Sequence, residues 1–470
     1  MIGEARSARR PIGPPESVVI IGGGASGTLA AIHLLTARSL PRVVLIERSG
    51  VLGAGVAYAS ADPRHLLNVP AGRMSAFRSD PGHFARWLAA SGRPEAGPET
   101  FAPRAWFADY LRSTLQQCAL RAAGSVRLEV VHGLAVAARV SDAALEVALA
   151  DGSRVAARHV VLATGPPSSP RPWPRTVLRL AGARRYVPDP WAPAALAPIA
   201  AGDSVVLAGT GLTMVDVAVS LAARGVRLEA VSRHGLLPLP HSGTPVSESA
   251  RPFPAPARLV DLLREVRREA DAADDWRSAV DGLRSQSREL WRSLPPSAQR
   301  QFLRHLRRHW EVHRHRIAPE VAAQLAQLLA EGGLRVRAGS ITSVVETAQG
   351  VEVSLRPRGE RRSETLPANY LVNCTGPAEM IDDDPQPLLA SLLRERLARP
   401  DAHRLGLAVG DDGELAPPAG RHGSLFALGA LRRGSLWETT AIAEIRAQAE
   451  ELAASIAEAS RSLAPAESLP

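Results

Sequence analysis

The sequence predicts a three-layer α/β protein in which one scheme is written twice. Three observations carry that expectation. The apolar run SVVII leads through a glycine turn at Gly22, Gly24 and Gly27 into an apolar helix and a second strand, RVVLIE. The same order restarts at Asp203 with SVVLAGTGLTMVDVAVSLAARG and VRLEAVS. Each half then ends on a strand closing in Thr-Gly, at Thr164-Gly165 in the first and Thr375-Gly376 in the second. Strands that alternate with helices at this spacing call for parallel sheets covered on both faces.

Residues 17 to 47 read as strand, glycine turn, helix and strand. In G-x-G-x-x-G the first glycine makes the tight turn, the second lets backbone approach a pyrophosphate, and the third packs helix on strand. The opening of the helix, with Ser26, offers N–H donors and a positive dipole end to phosphate. Glu47, at the end of the second strand and twenty residues beyond Gly27, is placed for ribose hydroxyls, with Arg48 beside it. Helices follow near 81–90 and 104–123, then three β-rich runs, RLEVV, LEVALA and HVVLATG, and a proline cluster from Pro166 to Pro174 that marks a boundary.

The second unit departs from the first in two places. Met214 stands where the third glycine belongs after Gly209 and Gly211, so helix and strand sit further apart. Its second strand ends in Ser232, Arg233 and His234, with no carboxylate for a ribose. Arg233 reads either as the partner of a 2′-phosphate, which favours NADPH over NADH, or as a solvated arginine. Asp216 reads as a surface charge or as a contact at a domain junction. Residues 255–332 are mainly helical and rich in Arg and Glu, and ITSVVE, VEVSLRP and YLVNCTG repeat the earlier three-run pattern. A last helix covers about 439–458.

The fold class is therefore α/β, with two Rossmann-like dinucleotide-binding domains, β-meanders and a helical insertion. The expected division is a discontinuous first domain over 17–185 and 366–460, a second over 186–365, and tails at 1–16 and 461–470.

Composition narrows the chemistry. The chain has 470 residues and a formal net charge of +9, and all 56 of its basic Lys+Arg residues are arginine. Absence of lysine removes Schiff-base catalysis, pyridoxal phosphate anchoring and a phosphate-cradling P-loop. A codon bias accounts for the arginines more economically than a nucleic-acid partner. No long uncharged apolar run marks a spanning helix, so no membrane partner is expected. Cys118 and Cys374 are too far apart to read as a redox pair, and a reduced, cytoplasmic setting follows. With no G-x-S-x-G elbow, bound cofactors must supply the chemistry.

The segments IGGGASGTLAAIHLL, GAGVAYASADPRHLLNVPAGRMSAF, LAGTGLTMVDVAVSLAARG, WEVHRHRIAP, LVNCTGP and GALRRGSLWETTAIAEIRAQA resemble bacterial FAD/NAD(P)-binding proteins of the YdhS-like family. That family is similar to flavin-dependent N-hydroxylating monooxygenases, and the resemblance spans residues 17 to 455. It implies FAD in the first unit, with Gly165 in its cradle, and a nicotinamide dinucleotide in the second. It places His65 to Pro70, with Leu67 and Asn68, then Met74 and Ser75, along the flavin ring, and makes Asn68 and Met74 the candidate catalytic contacts. It brings Gly429 and the turn Trp437, Glu438, Thr439 to the flavin pyrimidine, where the dipole of the last helix favours negative charge. The implied reaction is N-hydroxylation of an amine or amino acid by oxygen through a C4a-hydroperoxyflavin. A flavin reductase or dehydrogenase without oxygen insertion, and a flavoprotein sensor without turnover, stand as alternatives.

Residues 300–316 hold six arginines, four histidines and only Glu311 as counter-charge, +5 of the net +9. His313, Arg314 and Arg316 form either a pocket for a substrate carboxylate or a solvated arginine face. His309 and His313 lie four apart, but no third ligand type completes a metal set, so no metal is expected.

Overall fold

The computed structural model describes residues 17–38, 40–140, 144–167, 173, 177–179, 184–243, 251–253, 258–378, 380–381, 386–415 and 424–461. From β1 (Ser17–Ile21) the chain passes through α1 (Ala25–Ala37) to β2 (Arg42–Glu47), then through α2 (Gly55–Tyr58), α3 (His83–Ala90) and α4 (Arg104–Ala122) to β3 (Arg127–His132). An antiparallel trio, β4 (Ala135–Val140), β5 (Leu145–Leu149) and β6 (Arg154–Ala157), precedes β7 (His159–Leu162), which returns beside β1.

The second unit opens with β8 (Leu178–Arg179) and β9 (Tyr186–Val187), then β10 (Ser204–Ala208), α5 (Leu212–Ala222) and β11 (Arg227–Ser232). A helical block follows: α6 (Leu259–Ala272), α7 (Trp276–Ser285), α8 (Ser287–Ser293), α9 (Pro296–Gln301), a π-turn at Phe302–Leu306, α10 (Arg307–Arg314) and α11 (Pro319–Ala330). Strands β12 (Leu334–Glu346), β13 (Val351–Pro357), β14 (Glu364–Ala368) and β15 (Tyr370–Asn373) complete the unit. The chain ends with α12 (Pro387–Arg394), β16 (Ser424–Ala427), α13 (Arg433–Leu436) and α14 (Ile442–Arg461).

Two parallel sheets with matching order result. The first reads β16-β7-β1-β2-β3 and the second, through its parallel part, β9-β15-β10-β11-β12. The central strands are buried on both faces, which is why β1 and β10 are unbroken apolar runs rather than alternating ones. Val18 and Ile20 enter one core with α1, α4 and α14, whereas Val19 and Ile21 enter another with the antiparallel trio and α12. Val205 and Leu207 likewise face α5 and α11, while Val206 and Ala208 face the sheet extension of β12, β13 and β14.

Two expectations change. The three β-rich runs of the first half are not one meander: RLEVV and HVVL join the parallel sheet, and only LEVAL joins the antiparallel trio. Long β12 does both jobs in the second half, pairing parallel to β11 over Leu334–Ala338 and antiparallel to β13 from Gly339. Local pattern does not distinguish these because both environments select the same β-branched residues. The boundary expected at residue 366 also moves, since β15 hydrogen-bonds to β10 and so belongs to the second sheet.

The helical block does not stay with its own unit. Trp291, Leu294 and Ala298 share a core with Leu405 and Trp437 from the C-terminal part of the chain. It thereby spans from the second sheet to the segment that precedes α14.

Candidate functional site

Ligands of open parallel sheets bind at the carboxyl ends of the strands. In the first sheet those ends are Gly22 after β1, Glu47 in β2, Ala163 to Gly165 after β7, and Gly429 just beyond β16. Four chain segments far apart in sequence thus meet along one edge, and each carries a residue singled out from sequence.

The first glycine turn is shaped by close contacts. Gly22 has φ +104°, its N–H donates to the Ile46 carbonyl at 2.9 Å, and a Cβ there would lie 2.4 Å from the Ala163 oxygen. A Cβ on Gly27 would sit 1.8 Å from the Gly22 oxygen, so only glycine lets α1 dock this closely on β1. No side chain caps α1 at Gly24, which leaves its N-terminus without a protein acceptor of that kind. The loop carrying Gly53 and Gly55 packs onto the turn, with Gly53 N–H bonded to the Gly23 carbonyl at 2.8 Å.

Glu47 is buried, one carboxylate oxygen accepting from Gly23 N–H at 2.6 Å and the other from Ser49 N–H at 2.7 Å and Ser49 Oγ at 2.8 Å. These bonds hold it at the turn, and its remaining lone pairs suit ribose hydroxyls. Arg48 is exposed beside it. Thr164 Oγ1 is buried with no hydrogen-bond partner, next to Gly165 at φ +76°. An orphaned hydroxyl, an uncapped helix and a carboxylate at one strand edge fit the phosphates and ribose of a dinucleotide.

The second turn repeats the geometry of the first glycine. Gly209 has φ +115°, its N–H donates to the Val231 carbonyl at 2.7 Å, and a Cβ would lie 2.3 Å from the Cys374 oxygen. Gly211 precedes α5, again with no side-chain cap, and a Cβ there meets open space. Met214 does not spoil the packing, because its side chain fills the core between α5 and the sheet. Arg233 is exposed at the end of β11, where Ser232 Oγ bonds to Gly235 N–H and Thr210 Oγ1.

Between the two turns runs the loop from Asp62 to Ser75, and it straddles both units. Leu67 and Met74 are buried in the first core, whereas Leu66 packs against the second. His65 is buried and bonds through Nδ1 to Ser60 Oγ at 2.6 Å and through Nε2 to Ser220 Oγ of α5 at 2.8 Å. Ser220 Oγ donates in turn to Asp62 at 2.6 Å, and Arg104 pairs with Asp216 of α5 at 2.8 Å. Asp216 is thus a junction residue; burial pushes its carboxyl up, and the Arg104 charge opposes that shift. Asn68 sits at the crossing point: its backbone carbonyl accepts from His241 Nε2 at 2.9 Å, and its carboxamide has no hydrogen-bond partner among the described residues.

The C-terminal turn closes the first site. A Cβ on Gly429 would lie 2.9 Å from Ser26 Oγ, so this turn abuts the opening of α1. Thr439 Oγ1 donates to the Gly429 carbonyl at 2.7 Å, and Gln448 accepts from Gly429 N–H at 3.0 Å. Thr439 therefore ties the turn together. Trp437 has φ +62° and ψ −66°, and Glu438 N–H bonds back to the Leu436 carbonyl at 2.8 Å, a strained γ-turn. The helical block holds it: Trp291 stacks on Trp437 at 5.3 Å, Phe302 meets it edge-on, and Trp310 Nε1 donates to Glu438 at 2.8 Å.

The arginine-rich segment divides: Arg300, Arg304, His305 and His309 are exposed, whereas Arg307, Arg314 and Arg316 are buried. Arg316 is buried and paired with Asp281. Arg314 is buried 3.4 Å from Glu438 and 3.8 Å from Glu444, although its Nε and Nη2 lack hydrogen bonds. His313 donates through Nδ1–H to the His309 carbonyl at 2.7 Å, and its ring is edge-on to Trp276 at 5.0 Å. Counting charge within residues 300–316 misses Asp281, Glu438 and Glu444, which arrive through the fold. Arg104, His241 and Trp310 carry no such signal in the sequence for the same reason: their partners lie 100 or more residues away.

Among the described residues no cluster suits a metal ion, and no helix is long and apolar enough to cross a membrane. Cys118 and Cys374 are both free and buried.

Residues 19–167 match the FAD-NAD(P)-binding family. Uncharacterized proteins of Mycobacterium bovis and Mycobacterium tuberculosis are 30% identical over 133 residues, which is 28% of this chain and 25% of theirs. The match thus spans about a quarter of those relatives. Among solved structures, L-lysine 6-monooxygenase from Pseudomonas syringae aligns with a TM-score of 0.62 at 17% identity, covering 94% of this chain and 99% of that one. The ornithine hydroxylase of Pseudomonas aeruginosa aligns at 0.61 and 16% over the same shares, 94% and 99%. Thioredoxin reductase from Lactococcus lactis aligns at 0.54 and 12%, covering 95% and 100%. The chain carries an FAD/NAD(P)-binding domain and shares its fold with these flavoenzymes.

Proposed function

We propose that this protein is an NADPH-dependent flavin monooxygenase that N-hydroxylates an amine or amino acid. One observation carries the reading: two glycine turns with the same opening geometry lie at the carboxyl edges of two sheets, and one loop, carrying an Asn68 carboxamide without a hydrogen-bond partner among the described residues, joins them. Two cofactors held this way face each other across the junction. The fold it shares with lysine and ornithine hydroxylases over nearly the whole chain supports this choice of reaction.

Bound FAD would supply the redox chemistry, with the nicotinamide as reductant and molecular oxygen as the source of the transferred oxygen atom. The protein's part is to bind, orient and exclude water. Gly22, Gly24, Ser26 and Gly27 take the FAD phosphates, Glu47 its ribose, and Thr164 and Gly165 the adjoining edge. Leu67, Met74 and the Asn68 amide would flank the ring, and the Gly429 turn with Trp437, Glu438 and Thr439 would close its pyrimidine end. Gly209 and Gly211 take the nicotinamide phosphates, and Arg233 the 2′-phosphate. Arg314, buried against Glu438 and Glu444, and Arg316, paired with Asp281, are both neutralised inside the protein, so the substrate carboxylate is assigned to neither.

A flavin reductase without oxygen insertion is the second reading, favoured by the likeness to a thioredoxin reductase. Disulfide chemistry is not part of it, because both cysteines are buried and unpaired and burial pushes the Cys374 thiol far up. The experiment is anaerobic reduction of the purified holoprotein by NADPH or NADH, then oxygen with L-ornithine, L-lysine or putrescine. Hydroxylamine formed in step with NADPH use supports the monooxygenase; hydrogen peroxide alone with every amine overturns it.

A further inference from the structure

The loop after β11 is tied to the second glycine turn. Thr210 Oγ1 donates to the Leu236 carbonyl at 2.5 Å and lies 2.9 Å from Ser232 Oγ, which accepts from Gly235 N–H at 3.0 Å. Arg233 and His234 therefore stand on a loop fixed beside Gly209 and Gly211. Two further elements close on it. Arg358, just beyond β13, donates its N–H to the Ala338 carbonyl at 2.9 Å, and a Cβ on Gly235 would lie 3.3 Å from Ala338 Cβ. From the helical block, α10 is bonded to the same segment, Leu239 N–H donating to the Val312 carbonyl at 3.1 Å. His309 of α10 brings its ring to 6.3 Å from that of His234.

Basic groups of all three elements act on one imidazole. Burial lowers the His234 pKa, and the charges of Arg358, Arg233, His309 and Arg308 lower it further. Of these, Arg308 is held by Glu311 at 2.7 Å. The acids of the neighbouring strands, Glu229, Glu360 and Glu364, gather on Arg337. Arg233, Arg358 and His309 are exposed and His234 is half-buried, so a solute can approach the group. Like charges gathered at one ring repel, and an anion relieves that repulsion.

We propose that NADPH is selected by a basket of three walls around its 2′-phosphate: Arg233 and His234 from the β11 loop, Arg358 from the end of β13, and His309 from α10. The proposal rests on the reading that the second glycine turn takes NADPH. It extends that site from one arginine to three elements, one of them in the helical block. A phosphate monoester carries a charge of about −1.5 to −2 at pH 7. That charge offsets the cations that keep His234 neutral, so the ring takes up a proton as the phosphate enters. A dinucleotide with only a 2′-hydroxyl draws no such response.

The test is calorimetric titration of oxidised holoprotein with adenosine 2′,5′-bisphosphate and, as control, adenosine 5′-monophosphate, between about pH 8 and 6.5. The bisphosphate binds at least about tenfold more tightly than the monophosphate. Its advantage grows as pH falls, and buffers of different ionisation heat reveal proton uptake. Arg358→Ser lowers bisphosphate affinity about tenfold and leaves the monophosphate unchanged. His234→Gln flattens the pH dependence and removes most of the proton uptake, while flavin absorbance and monophosphate binding stay at wild-type levels. Undiminished discrimination in R358S, or a wild-type pH slope in H234Q, overturns the basket and leaves NADPH selection to Arg233. Equal loss of both probes overturns it too. A wild type that binds the two probes alike removes the NADPH preference along with the basket. Neither probe engages oxygen chemistry, so peroxide as the sole product with every amine overturns N-hydroxylation without touching this result.

Discussion

Arg104 and Asp216 meet at 2.8 Å across the junction of the two nucleotide units, both largely shielded from water. The pair sits beside His65, Ser220 and Asp62, so one polar seam fixes how the first loop lies on α5. Breaking one partner of a buried pair leaves the other charge uncompensated, at a cost of about 3–5 kcal/mol, whereas replacing both with apolar residues is often neutral. Asp216→Asn should therefore lower the midpoint of urea unfolding strongly, and Arg104→Met with Asp216→Leu should recover most of it. Equal losses in the single and double variants would show that the seam does not behave as a pair.

The two glycine turns give separable predictions. Gly22→Ala and Gly209→Ala each place a Cβ against a carbonyl oxygen, at a φ that side chains rarely adopt. Gly22→Ala should purify with little flavin. Gly209→Ala should keep its flavin and show a raised KM for NADPH. Flavin absorbance per protein and steady-state kinetics check both, and the reverse pattern would exchange the two cofactor sites.

Arg233 tests the choice of nicotinamide. A charge-assisted contact to a 2′-phosphate contributes about 1.5–3 kcal/mol, so Arg233→Ser should raise the NADPH KM about tenfold to a hundredfold. The NADH KM should barely change. Equal effects on both would return Arg233 to an ordinary surface arginine.

His159 gives a pH signature. It is 2% exposed on β7, neither ring nitrogen has a hydrogen bond, and burial lowers its pKa to about 4. As pH falls below 6.5 the unfolded chain takes up this proton first, and stability drops until the folded ring titrates near 4. A gap of that size corresponds to about 3 kcal/mol, fully present above 6.5 and lost through this window. His159→Phe should flatten unfolding free energy between pH 6.5 and 4; an unchanged slope would mean that other groups carry the acid sensitivity.

Much of this was legible in the chain. Gly22, Gly24 and Gly27, the acid at Glu47 and the repeat at Gly209 and Gly211 are local patterns, each enforced by backbone sterics within a few residues. The Thr-Gly endings at 164–165 and 375–376 mark strand ends in the same way. Periodicity could not say which β-rich run joins which sheet, because β5 and β7 bury similar side chains, Leu145, Val147 and Leu149 against Val160 and Leu162, in one shared core.

By itself, then, the sequence determined two dinucleotide units in order, their glycine turns, and cofactor-borne chemistry in a chain without lysine. Only the tertiary structure decided that Arg314 and Arg316 are internally paired, that β15 belongs to the second sheet, and that His241 grips Asn68. The physical reason is range. Steric rules for turns act along the chain, whereas charge pairing and hydrogen bonding are satisfied by whichever groups the fold brings within about 3 Å, at any separation in sequence.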